Sequence, residues 1–183
     1  MKSISLLPFL LAACGTDPVK VSEPVGIELD AKSGDTQNAT VSELKDITTE
    51  SGNPYGAFVN DAMAKLGGHE PGTLDIDRMT LTLGAQSTGV SSLDEVVTGD
   101  VDVSFLVNSS NNTYDAGKIA SPTGIGPVAM DPVFDWAQVT AEDRTTMLNG
   151  SFKVVLRGPA ATGFSTKGAD ARLQVTFTFT AFK

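Results

Sequence analysis

Acidic side chains are the groups in this sequence most ready for chemistry. Asp75 and Asp77 stand two residues apart, as do Asp100 and Asp102, with Asp94-Glu95 between the pairs. On a strand, residues two apart face the same side, so each pair crowds two like charges. A hard cation such as calcium would relieve that crowding through oxygen ligands. The EF-hand spacing D-x-[DN]-x-[DN]-G does not occur, and a solvated outer face explains the same pattern in a chain of pI about 4.4. Paired carboxylates also serve glycosidases as acid and nucleophile or base, where their separation decides the chemistry. The single histidine, His69, lies in Gly67-Gly-His-Glu70-Pro71-Gly72, a turn-forming run. A catalytic histidine needs a nucleophile and an orienting acid. The sequence has no G-x-S-x-G, and its one cysteine, Cys14, lies in an N-terminal apolar run. The segment Asp131-Pro-Val-Phe134-Asp-Trp136 gathers aromatic rings around a loop. Phe134 and Trp136, the only tryptophan, are a candidate platform for a sugar or a protein; the competing reading is a plug for the end of the core.

The totals exclude several classes. The 183 residues carry 13 basic and 22 acidic side chains, a formal charge of −9 without any basic run to neutralise phosphates. Nucleic acid is therefore not an expected partner. One cysteine rules out an internal disulfide framework, and one histidine rules out His-pair zinc sites. No apolar stretch reaches the 18 or so residues of a membrane-spanning helix.

The strongest signal is N-terminal. Lys2 precedes a ten-residue apolar run, Ile4 to Ala13, interrupted by Ser5 and Pro8. That run suits the h-region of a secretory signal. It ends Leu11-Ala12-Ala13-Cys14, which resembles the lipobox L-[AS]-[AG]-C of bacterial lipoproteins. The resemblance implies cleavage before Cys14, a diacylglycerol on its sulfur, and an acyl chain such as palmitate on the new amino group. The protein would then attach to a membrane through these chains, because two or more of them give stable anchorage. Gly15, where lipoproteins retained at the inner membrane often have Asp, points to the outer membrane of a Gram-negative cell. The expected organisation is a signal peptide over 1–13, lipidated Cys14 with a tether over 14–24, and one domain over 25–183.

Stepping along that domain, Val25-Gly-Ile27-Glu-Leu29 alternates as a first strand would, and residues 32–40 read as a loop. Asn53 caps, Pro54 opens and Gly67-Gly68 end a helix whose Phe58, Val59, Ala62, Met63 and Leu66 recur at helical spacing. Thr140 with Glu142 and Asp143 signals a second, short helix, ended by Asn149-Gly150. Residues 74–83, 101–107, 152–156 and 173–181 alternate as one-sided strands, with a phase slip at Arg78-Met79 that predicts a bulge. The expected fold is mainly β: an antiparallel β-sandwich with one or two short helices, broadly similar to the immunoglobulin-like sandwiches of bacterial surface lipoproteins. The expected function is a non-enzymatic, lipid-anchored binding or structural module of the cell envelope, without a cofactor and partnered by an envelope protein. The alternatives are a glycan-binding adhesive lipoprotein using Trp136, and a hydrolase using acidic residues.

Overall fold

Alternation builds the sheet. In the last strand Leu173, Val175, Phe177, Phe179 and Ala181 are buried, while Gln174 points to solvent. The computed structural model describes residues 19–183. Along them run β1 (Lys20–Lys32), β2 (Thr40–Ile47), α1 (Pro54–Lys65), β3 (Thr73–Leu83) and β4 (Asp100–Val107). They are followed by β5 (Thr113–Ala120), β6 (Val128–Pro132), α2 (Ala141–Leu148), β7 (Phe152–Pro159) and β8 (Asp170–Phe182). All strand pairings are antiparallel, in the order β1-β8-β3-β6-β5-β4-β7-β2. The two end strands, β1 and β2, approach each other without a ladder, so the sheet is nearly closed into a barrel.

The interior is filled by side chains. Phe105 packs edge-on to Phe152 at 5.3 Å and tilted against Phe177 at 5.5 Å, and Phe177 stacks on Phe179 at 5.3 Å. The gap left among Val25, Ile47, Tyr55, Phe105 and Phe177 admits no water molecule. Such a core is packed as a solid rather than hollowed for a ligand.

Both helices form where their caps stand. Asn53 accepts from Tyr55 N at 3.0 Å with Pro54 in the first turn, and Thr140 Oγ1 accepts from Asp143 N at 3.2 Å. α1 buries Tyr55, Phe58, Val59 and Ala62 and packs against β1. The Tyr55 hydroxyl donates to Met147 O at 3.1 Å, tying α1 to α2 through the core. Gly56 lets α1 approach the connection that follows β2: a Cβ there would lie 2.7 Å from Thr49 Cα.

Two features differ from the sequence expectation. β1 begins at Lys20, not Val25, because Lys20 to Pro24 pair with Phe182 to Thr178 of β8. The ordered strand therefore takes up the last five residues of the expected tether, Lys20 to Pro24. Segments 40–47, 113–120 and 128–132 are also strands, although their sequences alternate poorly. The predicted bulge is present, as a register shift between Ile76 and Arg78. Cys14 and the signal-like run lie outside the described residues. Among the described residues no helix is long and apolar enough to cross a membrane.

Candidate functional site

The acidic pairs occupy the outer face. Asp77 is the extra residue of the β3 bulge and accepts a hydrogen bond from the Thr180 hydroxyl. Asp75 beside it is raised above the usual carboxylate range, first by partial burial, then by the charges of Asp77 and Asp135. Asp102, on β4, stands in register between Lys118 of β5 and Arg157 of β7, so each neighbouring strand sets a cationic residue opposite it. Asp100 lies on the same face opposite Ala120. β6 and β5 separate β3 from β4, which places the two pairs three strand spacings apart, roughly 14 Å. A glycosidase pair stands about 5–9.5 Å apart, so the pairs do not converge on one bond. Among the described residues no three His, Cys, Asp or Glu side chains gather as metal ligands.

Asp94 and Glu95 are committed locally. Asp94 Oδ1 accepts from Gly124 N at 3.0 Å, which lowers its carboxyl. Glu95 accepts from Lys167 Nζ at 2.6 Å and from the Ser91 hydroxyl at 2.9 Å. His69 is exposed in the turn after α1.

Trp136 is buried, only 4% exposed. Its indole Nε1 donates to Gly72 O at 3.1 Å, and the Arg144 guanidinium sits 5.6 Å from the ring centroid. The ring face foreseen for sugar stacking is thus covered by the protein's own chain. Phe134 remains half-exposed, edge-on to Phe105 at 5.2 Å and to Trp136 at 6.1 Å.

The densest polar arrangement joins α2 to the β4–β5 hairpin. Asp143 is fully covered. Its Oδ2 accepts from the Tyr114 hydroxyl at 2.6 Å and from Asn112 Nδ2 at 2.7 Å. The Tyr114 oxygen in turn accepts from Thr140 N at 3.3 Å. These donors, Tyr114 first and Asn112 next, hold the Asp143 carboxyl at about 2, so it is a carboxylate at any physiological pH.

Beside this network runs a groove of about 240 Å³, lined by Thr113, Tyr114, Asp115, Val133, Phe134, Asp135 and Gln138. Phe134 was legible as a ring near a loop. Tyr114 and Asp115 were not, because their strand shows no alternation that the sequence alone reveals.

A second feature lies at the barrel seam. Glu43 of β2 shares the phase of buried Val41 and Ile47, so its carboxyl is turned toward the interior at the open edge. Burial pushes it up to about 7, aided by the charges of Asp35 and Asp30 and opposed by Lys32. An inward charge on an edge strand opposes pairing with another chain.

No protein family matches the chain, and no curated protein or solved structure matches it.

Proposed function

We propose that the chain is a lipid-anchored module of the bacterial cell envelope, in the outer membrane, that binds or braces a partner and is not an enzyme. The observation that carries this reading is the placing of Leu11-Ala12-Ala13-Cys14 directly before the fold. Only residues 15–19 separate Cys14 from the first paired residue, Lys20. Five residues reach at most about 18 Å, so an acylated Cys14 would hold the barrel close to the bilayer. The anchored end would be the one where Lys20 meets Phe182 and where Gly72 N donates to Phe182 O at 2.9 Å. β1 runs 13 residues from there, about 43 Å, to Lys32 beside Asp170. The turns at 33–39, 84–92 and 160–169 would then face away from the membrane.

We further read the barrel as flattened into two four-stranded layers, β1-β8-β3-β6 against β5-β4-β7-β2, in the manner of a sandwich. In support, β6 joins the halves through only three paired positions on β3 and two on β5. A glycan-binding role would have to rest on Phe134 and Tyr114, since Trp136 is enclosed. No resident cofactor is proposed; melting with and without a chelator tests calcium at the paired aspartates.

The test is intact-mass spectrometry of the protein from its natural host, beside membrane fractionation of Cys14→Ser. The expected result is a lipid-sized mass increment on the wild type and release of the variant from the membrane pellet. An unmodified thiol at Cys14 would overturn the reading.

A further inference from the structure

We propose that the groove between β5 and the segment after β6 captures an arginine side chain on an extended segment of a partner protein. The inference rests on the binding role proposed above and names the chemistry of the partner.

The groove exists because two strands part. β5 and β6 pair only at Gly117–Pro132 and Lys118–Asp131, with one further bond from Val133 N to Ala116 O at 3.0 Å. Beyond it the walls separate. Tyr114 and Asp115 form one wall, Phe134, Asp135 and Gln138 the other. Both walls therefore present an aromatic ring beside a carboxylate.

The rings are fixed before any partner arrives. Tyr114 is held through its hydroxyl by Asp143 at 2.6 Å and Thr140 N at 3.3 Å. Phe134 is held edge-on by Phe105 and Trp136. Asp135 Oδ1 accepts from Ala137 N at 2.9 Å, which orients that carboxylate. Preorganised walls of this kind reduce the ordering cost of binding.

Charge selects the occupant. Among the described ion pairs, none uses Asp115 or Asp135. The nearby cations, Arg144 and Lys118, form no ion pair with either carboxylate. Arg144 lies over Trp136 and donates to Ala137 O at 3.3 Å, and Lys118 stands in register with Asp102 and Asp131. A guanidinium satisfies all of this at once: its plane stacks on aromatic faces, and its fork of N–H donors meets carboxylates. A neutral sugar would stack on the rings but leave both carboxylates without a counter-charge.

The test is an NMR titration of the full chain in detergent micelles with a short, capped Gly-Arg-Ser-Arg-Gly peptide. Its neutral citrulline analogue and chitotriose serve as parallel probes. The expected result is saturable shifts at 113–115 and 134–138, weakened about tenfold by Asp115→Asn and by Phe134→Ala and falling with salt. Asp115→Asn removes no hydrogen bond seen in the fold, and a melting curve confirms that each variant is folded. Saturable binding of chitotriose with unchanged affinity in Asp115→Asn would overturn the proposal in favour of a glycan. Equal binding of the citrulline peptide, or no shifts in the groove, would overturn it as well. The mass of Cys14 is unaffected by any of these outcomes, so failure here and failure of the anchored-module reading are distinguishable.

Discussion

Tyr114 and Asp143, 29 residues apart in sequence, meet at 2.6 Å, phenol to carboxylate, and so bolt α2 onto the β4–β5 hairpin. Removing the phenol leaves a covered carboxylate with Asn112 as its remaining close side-chain donor. Tyr114→Phe is therefore expected to lower stability by about 1.5–3 kcal/mol, read from the urea midpoint. The pH dependence has a definite sign. The Asp143 pKa is depressed from 3.8 to about 2, so its contribution is complete above pH 3.8 and lost as pH falls toward 2. Tyr114→Phe should flatten that part of the acid melting profile; an unchanged profile would show that the network does not bear on stability.

Glu43 has the opposite sign. Its pKa rises from 4.5 to about 7, so the folded state binds the extra proton between those values and stability falls as pH rises across them. Glu43→Gln is expected to melt like the wild type near pH 4 and higher than it at pH 8. After solvent screening of this half-buried group, the gain is about 1 kcal/mol. Thermal melts at the two pH values read it directly.

Gly56→Ala sets two effects against each other. Alanine raises helix propensity by about 1 kcal/mol, yet its methyl would press on Thr49 Cα at 2.7 Å and on its carbonyl carbon at 2.9 Å. Overpacking against backbone costs roughly 1–3 kcal/mol, so a net loss of about 1 kcal/mol is expected. Ala57→Gly, on the exposed face of the same turn, isolates the propensity effect alone.

Trp136 reports on its own surroundings. With 4% of its surface exposed and its Nε1 bonded to Gly72 O, its emission should be blue-shifted and nearly immune to iodide. A red, readily quenched emission would contradict the enclosed ring and restore the stacking platform.

How far the residues announced this architecture differs by element. β3, β4, β7 and β8 bury one face against the core, and their apolar residues alternate accordingly. α1 and α2 carry caps that act over three or four residues, so they too were legible. β2 was not, because it is an edge strand whose inward phase includes Glu43 while Leu44 is 56% exposed. β5 was hidden by its bulge, which buries Ala116 and Gly117 in succession and breaks the period of two. β6 has five residues of which only Met130 is buried, so tertiary pairing defines it. The same asymmetry governs the groove. Phe134 was visible as an aromatic in a loop, whereas Tyr114, Asp115 and Asp143 acquire meaning only when a bulged strand and a helix cap are brought together. The paired aspartates were read onto one face, but the cations opposite Asp102, Lys118 and Arg157, come from neighbouring strands that no local pattern could supply.

The earliest strand zips along its whole length to the latest one, Lys20 to Phe182 and Lys32 to Asp170. During synthesis, then, the β1 ladder has no mate until β8 has been made, and contacts so distant in sequence form slowly. A polypeptide wired this way leaves its first ladder open while the intervening elements are made, so the pairing that closes this part of the sheet comes late.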